Sequence, residues 1–149
     1  MNELVSIIMP SYNTGDCIAD TIRSVQAQTY ENWELIIVDD CSTDDTDQVV
    51  AGFDDSRIRY FKIEVNSGAA ISRNRALREA KGRWIAFLDS DDLWLPEKLE
   101  RQIAFMQENG YAFTYTDYEI IMPSGERVPY VFTGPNKVTR RKLFQYCYF

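Results

Sequence analysis

Trp84-Ile85-Ala86-Phe87-Leu88-Asp89-Ser90-Asp91-Asp92 runs from an unbroken apolar stretch straight into a cluster of carboxylates. An apolar run without polar alternation is the pattern of a strand buried on both faces, as in a parallel sheet. Ionised carboxylates at the end of such a strand cannot be buried uncompensated, so water or a cation must meet them. Oxygen ligands at this density suit a hard divalent cation such as Mg²⁺ or Mn²⁺, which usually arrives with substrate phosphates. One stretch thus points to an α/β sheet and to a reactive edge on it.

Outward from it, the same grammar repeats. Leu4-Val5-Ser6-Ile7-Ile8-Met9 reads as a buried strand ended by Pro10, and Leu35-Ile36-Ile37-Val38 as a second, stopping at Asp39-Asp40. Ile58-Arg59-Tyr60-Phe61-Lys62 is a third. Between them, apolar residues recur at helical spacing: Cys17, Ile18, Thr21, Ile22 and Val25 after an Asp16 N-cap, then Val49, Val50 and Phe53. Asn66-Ser67-Gly68 opens a third helix carrying Ala70, Ile71, Ala76, Leu77 and Ala80, with Gly82 as its C-terminal cap. Pro96 in a first turn begins a helix with Leu99, Ile103 and Met106, ended by Gly110. Residues 112–122 read as a strand and 127–132 as its hairpin partner across Pro123-Ser124-Gly125-Glu126.

The order β-α-β-α-β-α-β predicts an α/β fold: a Rossmann-like, mostly parallel sheet with helices on both faces. Residues 139–149 begin an apolar helix (Leu143, Phe144, Tyr146, Tyr148, Phe149) that stops without a cap, as though cut from a longer protein. That apolar end offers a patch for self-association.

Composition narrows the function. With 149 residues, one domain with a full core is expected. A net charge of −7 argues against a nucleic-acid binder using a broad basic face; Lys137, Arg140, Arg141 and Lys142 read as a solvated helix face. There is no histidine, and the three cysteines (Cys17, Cys41, Cys147) are widely spaced, so Ser-His and Cys-His chemistry and a Cys/His zinc site fall away. Cys17 and Cys41 read as small buried fillers. No signal sequence and no run near 20 apolar residues is present, which makes cytoplasmic the expected compartment.

Ligands of open α/β sheets bind outside the carboxyl ends of the strands. Three such ends carry polar clusters here: Pro10-Ser11-Tyr12-Asn13, Asp39-Asp40 and Asp89-Ser90-Asp91-Asp92. Tyr12 suits stacking on a base, with Pro10 shaping the wall. Asp39 and Asp40 read equally as loop residues or caps and as acceptors for a nucleobase imide or a ribose hydroxyl. Asp44, Asp45 and Asp47 serve a helix N-terminus. Asp89 and Asp91 alternate at a strand end, so both can face one metal, or a metal and a ribose; Asp92 is a third member or a cap for the turn before Pro96. Arg73 and Arg75 sit near a helix N-terminus, where cations oppose the dipole; they are either solvated or, for Arg73, set to fork onto phosphate. Trp94 reads as a packing residue.

Together these blocks resemble the nucleotide-binding half of family 2 glycosyltransferases, which have the GT-A fold. The matching stretches are Val5 to Asn13, Ser24 to Tyr30 with Glu34 to Asp44, Asn66-Ser67-Gly68 with Ser72-Arg73-Asn74, and the Asp-x-Asp motif in Phe87 to Asp92. The resemblance implies a donor-binding domain over 1–132, with 133–149 starting an acceptor-side region. It implies nucleotide contacts from Pro10, Ser11, Tyr12, Asp39, Asp40, Arg73, Asp89 and Ser90. It also implies Mn²⁺ or Mg²⁺ on Asp91 and Asp89, a nucleotide-sugar donor, most often UDP-linked, and a glycan or lipid-linked acceptor. In inverting members the catalytic base is a carboxylate well beyond this region, so it is expected past residue 149; Asp117 and Glu119 follow the metal motif too closely and are expected on a strand. The implied activity of the intact enzyme, in polysaccharide or glycan synthesis, would place it in the cytoplasm or on the inner membrane face. Two alternatives remain at this stage. One is a non-catalytic nucleotide-binding module on the same fold. The other is a sugar nucleotidyltransferase, weakened by the single glycine in Pro10-Ser11-Tyr12-Asn13-Thr14-Gly15.

Overall fold

A computed structural model describes residues 3–122 and 124–134. The chain divides into two compact units, Met1–Ala104 and Phe105–Phe149. The expected helix over 139–149, its basic residues and Cys147 lie outside the described residues.

The first unit is a four-stranded parallel sheet in the order β3-β2-β1-β4, formed by β1 (Val5–Ser11), β2 (Trp33–Asp39), β3 (Ile58–Lys62) and β4 (Trp84–Phe87). Helices α1 (Ile18–Gln26), α2 (Thr46–Ala51) and α3 (Ala69–Glu79) connect the strands, and α4 (Lys98–Asn109) follows β4. β1 and β2 are buried along their whole length, as their unbroken apolar runs require. Alternation splits their side chains between two cores. Val5, Ile7, Met9, Leu35 and Ile37 pack with Ile18, Ile22 and Val25 of α1 and with Leu99 and Ile103. On the other face Ile8, Ile36 and Val38 pack with Ala76 of α3. Each fully buried aliphatic side chain contributes about 1.5–3 kcal/mol to this arrangement.

Several local expectations are corrected. Pro10 does not end β1; it pairs in register with Val38 and the strand runs on to Ser11. The carbonyls of Leu4 and Ile8 accept from β4-side amides of Trp84 and Leu88, whereas that of Ser11 accepts from Asp40. Even-numbered residues of β1 therefore face β4, and the pairing with β4 has stopped by Phe87. The missing N–H of Pro10 consequently costs no ladder bond. Cys17, not Asp16, occupies the N-cap of α1, without a side-chain cap. α3 ends at Glu79 with extended Ala80 at its cap. The role of Gly82 is close approach instead: a Cβ there would meet the Ser6 nitrogen at 2.6 Å and the Leu4 oxygen at 2.7 Å. Pro96 lies ahead of α4, which starts at Lys98, and Gly110 (φ 65°) follows its end as expected.

Helices thus pack on both faces of the sheet, α1 with Leu99 and Ile103 on one and α3 on the other. α3 lies over β1 and β2. Within the first unit α3 does not reach Ile85 and Phe87 at the β4 edge.

In the second unit, β5 (Tyr118–Ile121) and β6 (Arg127–Phe132) form an antiparallel hairpin. β5 is shorter than the strand expected over 112–122. The stacked Tyr118 and Phe132 rings, 5.0 Å apart, fix the pairing at its open end. Glu119 sits on β5 and pairs with Arg127 at 3.1 Å, while Asp117 precedes the strand.

Candidate functional site

The strand order reverses between β1 and β4, and open α/β sheets take ligands in the crevice at that point. A cavity of about 250 Å³ lies there. Pro10, Ser11, Tyr12 and Thr14 line it from β1 and its loop, Asp40 from the end of β2, Ala69 and Arg73 from α3, and Asp89, Ser90 and Asp91 from the end of β4. The structure thus brings together every residue expected around a nucleotide or metal except Asp39. Thr14 and Ala69 were not anticipated. A small residue directly after the helix-opening Gly68 was the available signal for Ala69.

The loops are tied to one another before any ligand arrives. Asn13, in the left-handed region (φ 51°), donates its amide to Ser42 Oγ at 2.8 Å, and its Oδ1 accepts the Thr43 amide at 2.9 Å. Asp44 accepts from the Gly15 amide at 2.9 Å and from Thr46 Oγ1 at 2.6 Å, so it serves both the helix start and the neighbouring loop. Cys41 is not a buried filler: it is only partly covered and also left-handed (φ 65°), a conformation that costs a non-glycine residue about 1–3 kcal/mol. Such strain is sustained only where surrounding bonds over-determine the loop. Cys17 directs its thiol at the carbonyls of Thr14 and Ser90, and burial followed by the charge of Asp16 pushes its pKa up to about 11. It is therefore not a nucleophile.

Adjacent in sequence, Asp39 and Asp40 have separate fates. Asp39 is 0% exposed and inside a cage: Tyr60 Oη donates to it at 2.7 Å, the Ser42 amide at 3.1 Å and the Ser42 hydroxyl as well, with Lys62 Nζ at 3.5 Å. Burial, then this hydrogen bond, pushes the Tyr60 hydroxyl well above its ordinary pKa. Asp39, expected among the nucleotide contacts, is thus buried in this cage and does not line the cavity. Asp40 reaches the cavity, and its two oxygens accept the amides of Ser67 at 2.8 Å and Gly68 at 2.7 Å. Gly68 has φ 87° and ψ 156°, a region essentially confined to glycine, which lets both amides turn toward Asp40. This clamp sets the first turn of α3, from which Arg73 reaches Asp89.

The Arg73 guanidinium meets Asp89 Oδ1 at 2.5 Å, with both side chains substantially exposed. Among the described residues Arg73 is the one cation lining a cavity that also carries Asp40, Asp89 and Asp91. Ser90 is held from below: its carbonyl accepts Thr21 Oγ1 at 2.9 Å. Among the described residues Asp91 has no hydrogen bond or ion pair. The turn closes through the Asp92 amide to the Asp89 carbonyl at 3.1 Å. Burial and the charges of Asp91 and Asp89 raise the Asp92 pKa. Trp94 is buried, with Lys98 Nζ 4.2 Å from its ring centroid, which makes it a packing residue.

No group of three or more His, Cys, Asp or Glu side chains among the described residues is arranged for a metal. Two carboxylates and an open cavity still fit Mg²⁺ or Mn²⁺, which bind through one or two carboxylates and complete their shells with water and substrate phosphates.

Residues 6–146 match the profile of Glycosyl transferase family 2. The chain belongs to this family. It is 50% identical over 144 residues to the Escherichia coli UDP-Glc:alpha-D-GlcNAc-diphosphoundecaprenol beta-1,3-glucosyltransferase WfgD, covering 97% of this chain and 56% of that protein. Among solved structures, S. aureus TarS 1-349 in complex with UDP-GlcNAc superposes with a TM-score of 0.68 at 34% identity, covering 72% of this chain and 32% of that 1-349 fragment. The mannosyltransferase PcManGT from Pyrobaculum calidifontis, in complex with GDP-Man and Mn²⁺, gives 0.65 at 28% identity, covering 68% and 32%. The parallel sheet of this chain is thus the fold of its solved relatives. The chain spans about half the length of the curated relatives it matches. No helix among the described residues is long and apolar enough to cross a membrane.

Proposed function

We propose that this chain carries the donor site, over residues 1–132, of an inverting glycosyltransferase that takes a UDP-linked sugar and builds a glycan on a lipid-linked or saccharide acceptor. The observation that carries the reading is the convergence of Tyr12, Asp40, Arg73, Asp89 and Asp91 on one cavity at the switch point between β1 and β4. WfgD, a glucosyltransferase using UDP-Glc on a diphosphoundecaprenol acceptor, supports the donor and acceptor classes. PcManGT with Mn²⁺ supports the metal.

In this reading Tyr12, 49% exposed at the cavity mouth, offers its ring to the base. The Asp40 clamp and the Ser90 anchor hold the two sides of the pocket at fixed separation, so little ordering remains for the nucleotide to impose. Arg73 presents a planar fork to the diphosphate. Asp91 and Asp89 would hold a divalent cation, which supplies charge stabilisation for the departing diphosphate. The acceptor hydroxyl is deprotonated by a carboxylate outside these residues, because the cavity acids are committed to the α3 clamp and the metal edge. The chain by itself therefore binds donor and transfers sugar poorly.

Calorimetric titration of UDP, then GDP, with and without Mn²⁺, tests this on the natural chain and on Asp91→Ala. UDP binding that needs Mn²⁺ and disappears in Asp91→Ala is expected. Binding of neither nucleotide by folded protein would overturn the reading.

A further inference from the structure

Among the described residues three acids and one arginine line the cavity, and they differ in how far they are engaged. Asp40 is held by the Ser67 and Gly68 amides, and Asp89 by Arg73. Asp91 has no partner among the described residues. A divalent cation arriving alone thus meets one unpaired carboxylate and a second whose Oδ1 is held by Arg73, with its own charge opposed by that guanidinium. A single exposed carboxylate is a weak site for Mg²⁺ or Mn²⁺, which dehydrate reluctantly.

We propose, resting on the donor-site reading above, that Arg73 acts as a placeholder cation on Asp89 and makes metal affinity depend on the nucleotide. The guanidinium holds the Asp89 Oδ1 atom that a cation beside Asp89 would otherwise use. A diphosphate entering the cavity offers Arg73 a second anion of higher charge and matching fork geometry. Arg73 transfers its hydrogen bond from the carboxylate to phosphate oxygens, and Asp89 is released toward Asp91. No covalent bond changes. Metal and nucleotide then bind with positive coupling, and by linkage each tightens the other by the same factor. The exchange is affordable because the Arg73–Asp89 pair is exposed, with side chains 36% and 50% accessible, and exposed pairs are weakly held. A buried pair in the same place would lock the site.

The signature is a change of opposite sign in two affinities. In Arg73→Met, Mn²⁺ titrated without nucleotide binds more tightly than to the natural chain, on the order of 5-fold, the scale set by an exposed ion pair. In the same variant UDP binds more weakly in the presence of saturating Mn²⁺. Arg73→Lys, which keeps the charge without the fork, stays closer to the natural chain for Mn²⁺ alone yet also loses UDP affinity. A second variant needs no change at Arg73: Asp89→Asn leaves Mn²⁺ binding without nucleotide almost unaltered, because Asp89 is already withheld, but weakens it when UDP is present. Calorimetry or the spin-resonance signal of free Mn²⁺ reads both affinities, and thermal melting confirms that each variant is folded.

Mn²⁺ binding that is unchanged or weaker in Arg73→Met, or clearly weakened by Asp89→Asn without nucleotide, overturns the placeholder role. These arms use the metal alone, so they judge the pairing independently. Failure of the natural chain to bind UDP with Mn²⁺ would instead remove the donor-site reading.

Discussion

The carboxylate of Asp40 accepts the backbone amide of Gly68 at 2.7 Å, joining the end of β2 to the first turn of α3 across 28 residues of chain. The Ser67 amide occupies the second oxygen. Amides at a helix start would otherwise seek water, and here they are spent on fixing the wall that carries Ala69 and Arg73. Asp40→Ala is expected to cost about 2–4 kcal/mol, given two bonds to a charged acceptor. Hydrogen exchange at the Ser67 and Gly68 amides should accelerate more than at amides of β1. Unchanged protection at both would show that the clamp does not order the loop.

Asp39 is predicted to matter for folding and not for ligand. Tyr60→Phe removes one donor from the cage but leaves the Ser42 contacts and Lys62. A loss of about 1–2 kcal/mol in urea denaturation is expected, with UDP affinity of the folded protein retained. A selective loss of nucleotide binding without destabilisation would return Asp39 to the site.

Gly82→Ala should be among the most damaging single-methyl additions in the chain. The added carbon would sit 2.6–2.7 Å from the Ser6 nitrogen, the Leu4 carbonyl oxygen and Ser6 Oγ. Two of these are main-chain atoms of a strand paired on both sides, so they cannot yield as a flexible side chain would. A cost of about 3 kcal/mol or more is expected, read from the denaturation midpoint. Gly52→Ala is the comparison, since its nearest neighbour would lie at 3.2 Å and its φ of −72° suits alanine.

Acid should weaken the fold through Glu34 before it disturbs the apolar cores. Burial pulls the Glu34 pKa up, but bonds from Ser6, the Lys81 amide and Arg59 outweigh that and hold it below its ordinary value. Asp55 is likewise held down by Arg57. Groups with depressed folded pKa values contribute stability that is present above their unfolded values, near 4, and lost as pH falls through the folded ones. The melting temperature should therefore decline as pH drops below about 4, more gently in Glu34→Gln. An equal decline in both proteins would place the acid sensitivity elsewhere.

The sequence by itself determined the sheet, its polar edge and the family. Continuous apolar runs such as Leu35 to Val38 have few places to go other than a doubly covered parallel strand, and acids directly after them must stand at its carboxyl end. The hairpin partner over 127–132 was equally legible from its β-branched and aromatic residues after the Pro123-Ser124-Gly125-Glu126 turn. Tertiary structure alone decided what distant partners decide. Asp39 and Asp40 are the same residue type side by side, yet strand alternation sends one beneath the sheet edge to Tyr60 and leaves the other facing Gly68. Gly82 reads as a helix cap until β1 is seen to pass against it. Phe87 reads as core because its strand is apolar, but α3 packs on β1 and β2 and not on β4. Composition and periodicity record which residues seek burial or charge; which neighbour answers them is settled only when segments far apart in the chain are packed together.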